Sequence, residues 1–149
     1  MKKTVTWFLI ADGAQARVLE NTGPGKGLRQ VGGLDFGIEP LQGRDIVTDR
    51  PGRRADTGPG QRSAMEPRTD PVEQRETAFV KSMADMIEQK RAEGAFDRLV
   101  IAAAPTALGV IRPHLSDGVR KTLLAEVPKD LTNIPTDKLG THFEDVMAI

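Results

Sequence analysis

The sequence predicts an α/β domain on a mixed five-stranded sheet: three antiparallel strands, then alternating helices and strands. Three observations carry that prediction. Thr4–Ala11 (TVTWFLIA) is rich in β-branched and aromatic residues and apolar on both faces, as in a central strand. Arg98–Ala104 (RLVIAAA) is a second continuous apolar run of strand length. Between them, Asp70-Pro71-Val72-Glu73 has the form of a helix start, with an Asp N-cap, Pro at the first helical position and Glu completing a capping box.

The first half reads as a meander. After Thr4–Ala11, Asp12-Gly13 is the dipeptide that supplies positive φ for a tight hairpin turn. Ala14–Glu20 sets Ala14, Ala16 and Val18 against Gln15 and Arg17, which is the alternation of a returning strand. Asn21–Lys26 (NTGPGK) is a second turn, and Leu28–Leu34 a weaker third strand, loosened by Gly32 and Gly33.

Gln42–Asp70 then breaks the pattern. It has little apolar periodicity and is crowded with Gly, Pro, Arg and Asp, so it is expected to be a long loop and the most mobile part of the chain.

The second half alternates. In the helix opened at Asp70, Val72, Phe79, Val80, Met83, Met86 and Ile87 recur at three- and four-residue spacing, and Gly94 stops it. After Arg98–Ala104, Pro105 opens a helical stretch to about Leu115, and Val119–Leu123 continue in helical register. Leu124–Leu131 is expected as a final strand despite Pro128. Leu139, Phe143, Val146 and Met147 mark one face of a C-terminal helix. Right-handed crossovers make this a mixed sheet with helices packed on it.

Composition narrows the function classes. One domain of 149 residues buries roughly 70% of its unfolded surface and needs no metal or disulfide to stay folded. Lys plus Arg and Asp plus Glu balance at 21 each, so electrostatic recognition has to come from a local patch. The absence of Cys excludes disulfides, thiol catalysis and thiolate metal sites. No apolar run approaches the ~20 residues of a membrane helix, and Met1-Lys2-Lys3 is not followed by a signal-peptide pattern. The expected setting is the cytoplasm, without membrane partners.

Catalytic constellations are thin, and the expectation is a non-enzymatic protein without cofactors. His114 and His142 share no zinc-ligand spacing with each other or with the acids. Ser116 and Asp117 lie beside His114, but adjacent helical residues do not face one another. Asp12, at the end of the first strand, could form a divalent-metal site with Asp45, Asp49, Asp56 or Asp70, as in a nuclease. The simpler reading is that Asp12 opens a turn and the loop acids pair with loop arginines. Ala103-Ala104-Pro105-Thr106 occupies a strand-to-helix edge of the kind α/β ligands favour, without a Gly-rich phosphate fingerprint.

The most informative segment is Arg50–Arg68 (RPGRRADTGPGQRSAMEPR). Arg50, Arg53, Arg54, Arg62 and Arg68 stand against Asp56 and Glu66, a net +3. Guanidinium groups hold phosphate bidentately and stack on bases, which suits structured RNA. The same composition also describes a solvated arginine-bearing loop, since no aromatic is interleaved for stacking.

WFLIADGAQARVLE, DRPGR, the Asp-Pro before the long helix, FDRLVIAAAPTALGVIRPHL and KDLT together resemble the bacterial host-attachment protein family over nearly the whole chain. The resemblance implies a distant likeness to the middle domain of archaeo-eukaryotic peptide-chain release factors and Pelota-type rescue factors, with a ribonuclease-H-like sheet. Those domains carry a Gly-Gly-Gln tripeptide in the loop before the long helix. Here the corresponding stretch contains Gly60 and Gln61, with Pro59 in place of the first glycine. The resemblance therefore implies contact with the ribosome or structured RNA through Arg50, Arg53, Arg54, Gly60, Gln61, Arg62 and Arg68, without peptide release. The alternatives are a protein-interaction module that affects host attachment indirectly and, less favoured, a metal-dependent nuclease.

Overall fold

The computed structural model describes residues 3–38 and 70–149. β1 (Thr6–Ala11), β2 (Gln15–Asn21) and β3 (Arg29–Gly37) are followed by α1 (Pro71–Ala92), β4 (Arg98–Ala103) and α2 (Pro105–Ile111). A 3₁₀ turn (Arg112–His114), α3 (Asp117–Thr122), β5 (Leu123–Val127), α4 (Thr136–Leu139) and a closing 3₁₀ turn (Gly140–Phe143) complete the chain. The strand order is β3-β2-β1-β4-β5. β1 is central, antiparallel to β2 and parallel to β4, with Trp7 opposite both Glu20 and Leu99. No helix among the described residues is long and apolar enough to cross a membrane.

All six residues of β1 are buried because the sheet is covered on both faces. Trp7, Leu9, Leu99 and Ile101 join one core with Phe79, Val80, Met83 and Ile87 of α1 and Leu108 and Ile111 of α2. Phe8, Ile10, Val100 and Ala102 point the other way, into a core closed by Leu131, Leu139 and Phe143. The two faces explain why β1 and β4 read as continuous apolar runs rather than alternating ones.

α1 follows its sequence signals closely. Asp70 Oδ1 accepts the Val72 N–H at 2.8 Å, while Glu73 faces a cavity described below. At the other end Gly94 has φ +80°, and bonds from Gly94 N to Arg91 O and Ala95 N to Lys90 O make a Schellman cap.

Several expectations are corrected. Gly13 is not in the positive-φ region, and the hairpin is organised by Asp12, whose Oδ1 accepts the Ala14 and Gln15 N–H groups at 2.8 and 2.9 Å. β3 runs to Gly37 rather than Leu34, because Gly33 takes φ +82° and the register shift opposite Val18 is absorbed within the strand. α2 and α3 are separated by extended Leu115, since Ser116 is the N-cap of α3 and accepts the Val119 N–H.

β5 stops at Val127, before Pro128. Leu131 leaves the sheet and enters the second core, held by Arg17, whose guanidinium donates to the Leu131 and Ile134 carbonyls. The C-terminal helix is a single α turn followed by a 3₁₀ turn. Leu139 and Phe143 still land on one face because four residues separate them.

Candidate functional site

Two strand ends and two helix starts converge at one edge of the sheet. β1 and β4 run parallel, so Ala11 and Ala103, which are register partners, finish side by side. The chain leaves β1 toward β2 on one side, and from β4 it proceeds toward β5 on the other. A crevice at such a divergence, beyond the carboxyl ends of parallel strands, is where α/β sheets hold ligands.

A cavity of about 200 Å³ lies there, between the β1–β2 turn and the opening turns of α1 and α2. Val80, Ala104, Ala107 and Val110 give it apolar walls. Gly13, Glu73, Glu76, Thr77 and Thr106 line the remainder. Glu73, Glu76, Thr77 and Val80 share one face of α1 through three- and four-residue spacing, so the apolar stripe that packs on the sheet turns polar where it reaches the edge. That switch is visible in the sequence as acids on the core-facing stripe, a signal the motif reading passed over.

Gly13 matters here for space rather than conformation. A Cβ at Gly13 would stand 2.8 Å from both Cδ and Oε1 of Glu76, so the missing side chain is what lets the Glu76 carboxyl group lie over the turn.

Both carboxylate oxygens of Asp12 are engaged within the fold. Its Oδ1 is used by the turn, and its Oδ2 accepts the Thr132 hydroxyl at 3.1 Å. Among the described residues no three His, Asp or Glu side chains gather as metal ligands. Ser116 is committed to the α3 cap and donates to Glu88 Oε1 at 2.5 Å, while His114 Nδ1 lies 3.1 Å from the Val110 carbonyl. The two do not form a catalytic pair.

Arg50, Arg53, Arg54, Gly60, Gln61, Arg62 and Arg68 lie outside the described residues, as do Asp45, Asp49 and Asp56. The points from which that segment departs and returns are described. Ile38 N donates to Ala14 O at 2.9 Å, so the segment starts beside the Asp12–Gln15 turn. It ends at Asp70, the cap of the helix whose Glu76 rests on Gly13 of that same turn.

A family model described as "Protein required for attachment to host cells" matches residues 7–143, which takes in every strand except the first residue of β1 and reaches the end of the closing 3₁₀ turn. No curated protein matches the chain.

Proposed function

The chain belongs to the host-attachment protein family, and on that premise we propose that it is a non-enzymatic, release-factor-like domain that binds structured RNA, ribosomal RNA included, through Arg50, Arg53, Arg54, Arg62 and Arg68. The observation that carries the reading is the anchoring of that segment. The described flanks are both tied to the β1–β2 turn, Ile38 through its bond to Ala14 and Asp70 as the cap of the helix whose Glu76 rests on Gly13, so the stretch Arg50–Arg68, net +3, is joined to the domain there at both ends. Guanidinium groups supply planar, bidentate recognition of phosphate and stack on bases. The order β-β-β, segment, α-β-α-α-β-α is of the alternating kind that the resemblance to the release-factor middle domain implies, and it supports the reading.

The reading as a binding protein rather than an enzyme draws on the commitment of Asp12, Ser116 and His114 to turns and caps. The deciding experiment is sedimentation of the tagged protein through ribosome gradients at two salt concentrations, with a filter-binding titration on structured RNA. Co-sedimentation that fades at high salt supports the proposal. Absence of association at low salt overturns it and leaves the protein-interaction reading.

A further inference from the structure

The cavity at the carboxyl ends of β1 and β4 is built for a charge opposite to the one RNA carries. Its walls are Val80, Ala104, Ala107 and Val110, and its polar groups are two carboxylates and two threonine hydroxyls. Glu73 lies in the first turn of α1, where the helix dipole by itself favours an acid. Glu76 lies beyond that turn, outside the reach of the effect, and it is half-buried. Its carboxyl group occupies room that exists because residue 13 has no side chain. A carboxylate set against an apolar wall loses part of its hydration, and a cation that brings N–H donors restores it.

We infer that this cavity is a binding site for an organic cation, an alkyl-guanidinium or alkyl-ammonium group whose stem packs on Val80, Ala107 and Val110 while its head meets Glu76 and Glu73. Anions are excluded by the two carboxylates, and a neutral apolar ligand would bury Glu76 without a partner. The size is suitable: a cavity of about 150 Å³ accepts benzene, so about 200 Å³ admits one arginine or lysine side chain or a small free amine. Thr77 and Thr106 can accept from the remaining N–H groups. The site is separate from the arginine segment in chemistry, and the inference stands whether or not the chain binds RNA.

The test uses the full chain, titrated by NMR with butylguanidinium, butylammonium, butanol and butyrate at constant ionic strength. Saturable shifts of Thr77, Ala107 and Val110 amides with the two cations, and none with butanol or butyrate, are expected. Glu76→Gln should weaken cation binding about tenfold, the loss of one charge-assisted hydrogen bond. Gly13→Ala keeps the charge but pushes the carboxyl group aside, and should weaken binding while the fold persists. A blocked Gly-Arg-Gly peptide separates the sources: tighter binding than butylguanidinium assigns the site to a partner's side chain, weaker binding to a free amine or guanidine. Absence of saturable cation shifts, equal response to butanol, or unchanged affinity in both variants overturns the inference.

Discussion

Gly118 and Arg91 share one space: a Cβ on Gly118 would lie 2.6 Å from both Cζ and Nε of the arginine. The guanidinium therefore rests on the backbone of α3 while holding Glu88 with two bonds of 2.9 Å, and Glu88 in turn accepts the Ser116 hydroxyl. Through this contact α1 fixes the start of α3. The Arg91 hydrogen bonds, with help from Ser116, hold the Glu88 carboxyl down from 4.5 to about 2.

That depression sets a pH window. Because the folded pKa lies below the ordinary one, the stabilising contribution is complete above pH 4.5 and disappears as pH falls toward about 2. Denaturant melts of the native chain and Glu88→Gln should differ at neutral pH and converge across that interval. In Gly118→Ala, NMR titration should find the Glu88 pKa moved back toward 4.5, and a pKa still near 2 would show that Arg91 does not depend on the glycine.

Asn21 is buried, and its side chain ties three backbone groups together. Nδ2 donates to the Gly27 and Ile149 carbonyls at 2.9 and 3.1 Å, and Oδ1 accepts the Gly23 N–H at 3.0 Å. Asn21→Ala leaves the Gly27 carbonyl and the Gly23 N–H without their side-chain partner, takes one of two donors from the Ile149 carbonyl, and should cost about 2–3 kcal/mol in urea unfolding. Amide exchange at Gly27, which donates to Ile149 O, should accelerate as well.

Phe143 closes the second core, fully buried, with its ring 4.8 Å from that of Phe8. Phe143→Ala should destabilise the domain by about 3–5 kcal/mol. A loss below about 1 kcal/mol would mean that residues 131–149 do not cover the sheet in solution.

If Arg50, Arg53, Arg54, Arg62 and Arg68 each neutralise one RNA phosphate, affinity should fall roughly 100- to 500-fold between about 50 and 200 mM salt. Replacing Arg53, Arg54 and Arg62 together by Ala should lower the salt slope by about 2–3 without lowering the melting temperature. A slope unmoved by the triple change would remove the arginines from the interface.

Peptide release is the activity that Gly60-Gln61 suggests by analogy, and it is not expected. Pro59 fixes φ near about −65°, donates no N–H and drives Gly58 toward extended conformations, which removes half of the freedom a Gly-Gly pair has. Purified ribosomes carrying peptidyl-tRNA should release nothing beyond background. Release that vanished in Gln61→Ala would falsify this assignment.

The sequence by itself determined what depends on local chemistry. The two-sided apolarity of Thr4–Ala11 and Arg98–Ala104 placed β1 and β4 inside the sheet, and Asp70-Pro71 with Gly94 bounded α1 to within a residue or two. It also drew attention to Asp12-Gly13, but for the wrong reason, since dipeptide statistics know the turn and not the carboxylate that lies across it. What tertiary structure decided involves groups far apart in the chain. Arg17 holds Leu131 beyond the end of β5, and Asn21 holds Ile149, through contacts more than a hundred residues away in sequence. Glu76 acquires a site because Gly13 of the β1–β2 turn and Thr106 of α2 arrive beside it from distant parts of the chain. Periodicity reports which face of an element seeks apolar cover, but not which residue of another element will supply it, because that is fixed when the two faces of the sheet are closed.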